Sequence, residues 1–320
     1  MKKQDFRGVL PAMTTKMTAD QQVDLAGVRQ DISFLIDGGV DGVIVCGSLG
    51  EASTLTADEK LTILKAAIAE AGGRVPIMLT IAEDSTAAGC ALAAAAQKAG
   101  AEGLMVLPAM RYLSDPRETE THFRTVARAS DLPIIVYNNP VAYGVDVTPE
   151  MFAGMADEPK FAAIKESSAD LRRVTDILNL VGDRYQILTG VDDLALESLI
   201  LGCTGWIAGL VVAFPHETVA IYRLVQQGRI EEARAIYRWF MPLLHLDIGP
   251  KFVQRIKLVE AIVRGTSSMV RAPRLLLEAE DEARIRQLVG GALETRPDLS
   301  KLDSLGPSPA ETGMRVGVGA

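Results

Sequence analysis

The 320-residue chain reads as an α/β protein, a (β/α)8 TIM barrel with a C-terminal helical extension. Eight short apolar runs alternate with eight amphipathic stretches, the pattern of parallel strands each returned by a helix. The doubly wound sheet that competes with this reading needs a phosphate fingerprint or similar switch-point signal, and the chain carries none. Helical patterning also continues past the eighth unit, beyond what a barrel requires.

The strand candidates are Gly8–Met13, Gly42–Cys46, Pro76–Thr80, Gly103–Leu107, Pro133–Tyr137, Phe161–Lys165, Gln186–Thr189 and Gly205–Ala208. The helical patterns between and after them are Leu25–Asp37, Ala57–Ala71, Ser85–Ala99, Pro116–Ala129, Pro149–Met155, Asp170–Val181, Asp192–Leu201 and Pro215–Gln226. Thr56 stands before Ala57-Asp58-Glu59 with capping-box spacing. Thr148-Pro149-Glu150 puts a proline in a first helical turn. Three more helices are expected at Glu231–His245, Pro250–Val263 and Glu278–Leu293. The division is therefore 1–227 barrel, 228–297 helical extension and 298–320 flexible tail, the last being poor in core residues.

Hydrophobic residues make up 48% of the chain, enough for a sizeable core, and the net charge is −8. That acidity, with no basic cluster, excludes a nucleic-acid surface. No P-loop or zinc-type Cys/His spacing occurs. The apolar part of the first residues is too short for a signal peptide, and no run reaches the length of a membrane span. Cys46, Cys90 and Cys203 are widely spaced and odd in number, as expected of reduced thiols in a cytoplasmic protein. Cys46 lies near a strand end, but a cysteine nucleophile needs a base and no histidine is nearby in sequence.

Chemistry in such a barrel sits where the strands end, at the C-terminal face. Among the residues there, Lys165 is the sole lysine. It closes the apolar run Phe161–Ile164, which places an amine at the mouth of an apolar site. Desolvation can lower its pKa and make it a carbonyl-attacking nucleophile; a solvated lysine after a strand is the plainer alternative. Tyr137 lies one strand–helix unit earlier, so its phenol stands on the neighbouring strand, either as a proton carrier or as a packed aromatic with a satisfied hydroxyl. The segment Gly47–Gly50 is a small-residue turn whose backbone N–H groups can hold a carboxylate, with the Ser48 hydroxyl beside them. An ordinary turn fits the same residues.

Together these residues resemble a known family, the dihydrodipicolinate synthase / N-acetylneuraminate lyase family of class I aldolase-type lyases. The resemblance runs from about Phe6 to Arg264 and is carried by GSLGE (Gly47–Glu51), YNNP (Tyr137–Pro140) and IKES (Ile164–Ser167). It implies a Schiff base between Lys165 and a 2-oxo acid or cyclic imine, with no cofactor and no metal. It implies that Tyr137 relays protons assisted by Ser48, and that Gly47 and Leu49 bind the substrate carboxylate. Asn139, Gly190, Ile207 and Gly209 are expected to line the same pocket. A homotetramer built as a dimer of dimers is implied as well.

The chain departs from the synthase branch at three positions. Ala142 stands where that branch has an arginine for a dicarboxylic substrate, Leu49 where it has a relay threonine, and Met110 where a neighbouring subunit lends a tyrosine. These departures point away from dihydrodipicolinate synthesis. The Gly47–Gly50 turn, the Gly103–Pro108 strand and the Tyr137–Gly144 segment look most like a deaminase branch of the family. That resemblance implies a carbon–oxygen or carbon–nitrogen lyase, with deamination of 1-pyrroline-4-hydroxy-2-carboxylate, a step of hydroxyproline catabolism, as the expected reaction. A keto-deoxy sugar-acid aldolase or dehydratase, an N-acetylneuraminate lyase-like aldolase and dihydrodipicolinate synthase itself are alternatives. So are a non-catalytic 2-oxo-acid-binding barrel and a metal-dependent enzyme using Glu51, Glu83, Glu166 and Asp192 as oxygen ligands.

Overall fold

The computed structural model describes residues 6–109 and 111–302. Eight parallel strands follow one another around a single sheet: β1 (Gly8–Val9), β2 (Val43–Val45), β3 (Ile77–Ile81), β4 (Gly103–Val106), β5 (Ile134–Asn138), β6 (Phe161–Glu166), β7 (Gln186–Thr189) and β8 (Gly205–Trp206). β1 pairs with β8, and a parallel bridge between Ala12 and Ile44 joins the first and second units, closing the barrel. Every residue of β2 to β6 is buried. This is why these strands read as continuous apolar runs rather than alternating ones.

The outer layer is α1 (Leu25–Asp37), α2 (Ala57–Ala71), α3 (Thr86–Ala99), α4 (Pro116–Arg128), α5 (Pro140–Tyr143), α6 (Pro149–Gly154), α7 (Arg172–Val181), α8 (Ala195–Ile200) and α9 (Pro215–Gln226). The Thr56 capping box forms in full: its side chain accepts from Glu59 N–H and the Glu59 carboxylate accepts from Thr56 N–H. Thr148 caps α6 ahead of Pro149 in the same way, accepting from Met151 N–H. Three elements differ most from the sequence-based expectation. Strands β1 and β8 are only two residues long, although Leu10 N–H and Ala12 N–H still donate to Trp206 and Ala208 carbonyls. The intervening Pro11 has no N–H to give. The acidic stretch from Asp192 opens as a tight single turn, Asp192–Leu194, before α8 begins.

Three further helices follow, α10 (Ile230–Leu244), α11 (Phe252–Arg264) and α12 (Ala279–Glu294). Buried charge ties α11 to the C-terminal face of the barrel. Lys257 pairs with Glu51 at 2.5 Å, Glu260 with Lys16 at 2.7 Å, and Arg264 with Asp31 at 2.8 Å. Glu51 also accepts from Arg271 N–H. These bonds fix the segment that carries the Gly47–Gly50 turn, so the extension supports the site from outside. Residues 303–320, most of the expected tail, and Met110 lie outside the described residues.

Candidate active site

Lys165 and Tyr137 are direct partners in the β5–β6 register, and Lys165 is opposite Leu188 of β7. Both side chains therefore point into the mouth of the barrel from adjacent strands. Lys165 Nζ lies 4.2 Å from the centre of the Tyr137 ring. The lysine is 6% exposed and makes no ion pair among the described residues, whereas the other buried lysines there, Lys16, Lys60 and Lys257, are each paired with a carboxylate. Burial holds the Lys165 amine below its ordinary pKa, with Tyr143, Asp247 and Asp192 opposing. Desolvation outweighs the ring contact, since a cation–π interaction supplies only about 0.5–2 kcal/mol. The result is an amine that is neutral more readily than a surface lysine.

Tyr137 is 5% exposed, and burial raises its phenol above the usual value. Asn139 Nδ2 donates to the Tyr137 oxygen at 3.1 Å, which partly offsets that rise. Ser167 is a polar neighbour of the same phenol, but its Oγ has no hydrogen-bond partner of good geometry. Asn139 also caps α5, its Oδ1 accepting from Ala142 N–H at 3.0 Å. One side chain thus orients the phenol and anchors the next turn.

The Gly47–Gly50 turn is bracketed by two non-glycine residues in left-handed conformation, Cys46 at φ 57° and Glu51 at φ 60°. Strain of this kind persists where surrounding bonds over-determine it, and here the buried Glu51–Lys257 pair does so. At Gly50 a Cβ would meet Met13 O at 2.8 Å, so the turn closes only with glycine. The N–H groups of Ser48 and Leu49 donate to no acceptor among the described residues. Thr80 Oγ1, buried and without a partner, lies 3.4 Å from where a Cβ on Gly47 would sit. The cradle has free donors and suits a carboxylate.

Gly190 presses against the lysine: a Cβ there would stand 2.5 Å from Lys165 Cε. Ile207 is buried just past β8, and Gly209 N–H donates to Asp192. Asp192 also accepts from Trp206 Nε1 at 2.9 Å and Leu210 N–H at 2.8 Å. Of the expected pocket residues, Gly190 lies against Lys165 and Asn139 against Tyr137. The four carboxylates of the metal alternative do not converge. Glu51 binds Lys257, Glu83 binds Lys60, Glu166 accepts from Asn138 and Ser168, and Asp192 holds the β8 end. No group of three metal-ligating side chains occurs among the described residues. Cys46 is buried and its thiol is pushed up to about 12 by desolvation, leaving it inert.

Two residues at the mouth escaped sequence reasoning. Tyr143 brings its hydroxyl to 2.5 Å from Ser48 Oγ. Asp247 comes from the extension and hangs over Gly209, where a Cβ would meet its Oδ1 at 2.7 Å. The residue is partly exposed, yet its carboxyl sits deep enough that burial and the nearby Asp192 raise its pKa well above the ordinary range. Such a group can exchange a proton or hydrogen bond with a substrate hydroxyl.

A parallel barrel with a buried strand-end lysine beside a phenol has the geometry that an amine nucleophile requires. The family described as dihydrodipicolinate synthetase matches residues 5–291. A 4-hydroxy-tetrahydrodipicolinate synthase of Methanospirillum hungatei JF-1 is 33% identical over 243 residues, 74% of this chain and 82% of that protein. The crystal structure of dihydrodipicolinate synthase from Aquifex aeolicus superimposes with a TM-score of 0.86 at 27% identity, covering 89% of this chain and 98% of that one. YagE, an E. coli K12 prophage protein of the dihydrodipicolinic acid synthase family solved in complex with pyruvate, gives 0.85 at 27% identity over 90% of this chain and 99% of its own. The chain belongs to the dihydrodipicolinate synthetase family. No helix among the described residues is long and apolar enough to cross a membrane.

Proposed function

We propose that this protein is a class I lyase whose Lys165 forms a Schiff base with a 2-oxo acid or a cyclic imine. The observation that carries this reading is the lysine itself, buried, without an ion pair among the described residues and held below its ordinary pKa, with a phenol ring against its amine. Attack by the neutral amine on the substrate C=O or C=N forms an iminium carbon, which serves as the electron sink, so the step needs no cofactor or metal. Tyr137, with Ser48, moves protons at the adjacent carbon and at the leaving group. The N–H groups of the Gly47–Leu49 turn hold the substrate carboxylate. Asn139, Gly190, Ile207 and Gly209 shape the pocket around it. The YagE complex with pyruvate supports a 2-oxo acid as ligand.

For the substrate, two observations pull apart. The relatives reported above bear the synthase name and none of them a deaminase name, which supports 4-hydroxy-tetrahydrodipicolinate synthesis from pyruvate and aspartate semialdehyde better than the deamination expected from sequence. The pocket favours a substrate with one carboxylate, because Ala142 offers no cation on α5 and Leu49 no hydroxyl in the turn. Under that second reading, 1-pyrroline-4-hydroxy-2-carboxylate loses its hydroxyl as water and its ring nitrogen as ammonia, and two waters supply the carbonyl oxygens of the product, 2-oxoglutarate semialdehyde. Turnover of purified protein with each candidate decides the matter. Rapid condensation of pyruvate with aspartate semialdehyde establishes the synthase reading. Turnover of the cyclic imine, coupled to a semialdehyde dehydrogenase, establishes the deaminase. Turnover of a keto-deoxy sugar acid alone overturns both. The same proposal places the enzyme in the cytoplasm as a homotetramer; its three free thiols fit a reducing compartment, and light scattering tests the assembly.

A further inference from the structure

The structure assigns Tyr143 to the proton relay of this site, completing with Ser48 and Tyr137 a chain of hydroxyl groups that lies within one subunit. This inference rests on the Schiff-base reading of Lys165. Tyr143 ends the four-residue helix α5, and the same Asn139 side chain that donates to Tyr137 caps that helix through Ala142 N–H. Gly144 follows in left-handed conformation, φ 72°, and turns the chain away. The Tyr143 ring meets the Tyr137 ring edge-on, with centroids 5.6 Å apart at 85°. Its hydroxyl reaches Ser48 Oγ at 2.5 Å, across 95 residues of sequence. The two phenol hydroxyls are close enough that each acts on the other's ionisation as a side-chain hydrogen-bond neighbour.

A phenylalanine would satisfy the ring packing alone. The hydroxyl instead joins the phenol beside Lys165 to a serine that is itself partly exposed at the mouth. A route for one proton follows. When the C–H bond next to the iminium carbon breaks, its electron pair forms the C=C bond of the enamine and the iminium pair returns to nitrogen. The proton goes to the Tyr137 oxygen as the proton of that phenol passes to Tyr143. The Tyr143 proton passes to Ser48 Oγ, and the serine proton leaves to solvent. Reprotonation runs the same path backwards.

Pyruvate serves as the probe, with two readouts. Borohydride trapping measures imine formation, and loss of the methyl proton signal in D2O measures proton transfer through the enamine. Tyr143→Phe is expected to slow methyl exchange at least about tenfold, below the full effect of a positioned acid–base group. Trapping at Lys165 should keep its concentration dependence within about threefold. Ser48→Ala should give the same split. The double variant should be no slower than the slower single one, because groups acting in series are not additive. Wild-type exchange in Tyr143→Phe with trapping intact overturns the inference and leaves the Schiff-base reading standing. Parallel loss of trapping and exchange makes Tyr143 a pocket-shaping residue and overturns it too. Failure of the wild-type protein to trap pyruvate removes the Schiff-base reading, and this inference with it.

Discussion

Gly190→Ala probes the packing around the proposed nucleophile without removing a polar group. The added Cβ would stand 2.5 Å from Lys165 Cε, 2.9 Å from Lys165 Cγ and 2.1 Å from Ser167 Oγ. Carbon atoms in contact sit about 3.5–4.0 Å apart, so the Cε must retreat by at least about 1 Å. The neighbours that yield are side-chain atoms, which limits the damage to the fold to the roughly 1–3 kcal/mol typical of overpacking. A displacement of about 1 Å at a reacting group costs about a hundredfold in rate, or about 2.7 kcal/mol in the barrier. Gly190→Ala should therefore fold cooperatively, bind pyruvate weakly and show imine formation slowed by about two orders of magnitude, followed by single-turnover borohydride quenching. Wild-type trapping kinetics in a folded Gly190→Ala protein would refute the placement of Lys165 against Gly190 and the pocket built on it.

Further outcomes follow from the same geometry. Tyr137→Phe should lower turnover by roughly a hundredfold or more, the scale of a positioned acid–base group, with little change in melting temperature; near-normal turnover would make Tyr137 packing alone. The kcat/KM profile should rise with pH through the lowered pKa of Lys165, since only the neutral amine attacks; a limb at the ordinary lysine value of 10.5 would contradict the desolvated environment. Lys165→Met should abolish turnover and raise stability at neutral pH by about 1–3 kcal/mol, the usual cost of a buried polar group without a full partner. The sign follows from proton binding. Between the lowered folded pKa and 10.5 the unfolded chain binds more protons, so wild-type stability rises with pH across that window. The advantage of Lys165→Met should therefore shrink toward pH 10, as chemical denaturation at two pH values would record.

The barrel was legible in the sequence because parallel strands buried on both faces must be apolar throughout, as Val43–Val45 and Phe161–Ile164 are. Capping followed from residue type and spacing at Thr56 and Thr148. Lys165 and Tyr137 were legible for the same reason: a polar group ending an apolar run stands out, and one strand–helix unit separates neighbours in a barrel. The shorter β1 and β8 were not, because Pro11 and the flanking loops change pairing without changing hydrophobicity. Tyr143 escaped notice because a four-residue helix has no period to read, and its contact with Ser48 joins two distant strand ends. Asp247 was hidden further still, reaching Gly209 from the helical extension. Asp192 stood out as an acid at a strand end, but its role in binding Trp206 and two backbone N–H groups depends on a fold-back that spacing does not disclose.

The central claim is that Lys165 is the covalent nucleophile. Reduction of the wild-type protein with borohydride in the presence of pyruvate, followed by peptide mass spectrometry, tests it most directly. The account predicts one added pyruvate-derived mass per chain, located on the peptide that contains Lys165 and absent in Lys165→Arg, whose guanidinium cannot replace the amine as nucleophile. A label on Lys16, Lys60, Lys257 or any other lysine, or adduct formation undiminished in Lys165→Arg, would contradict it.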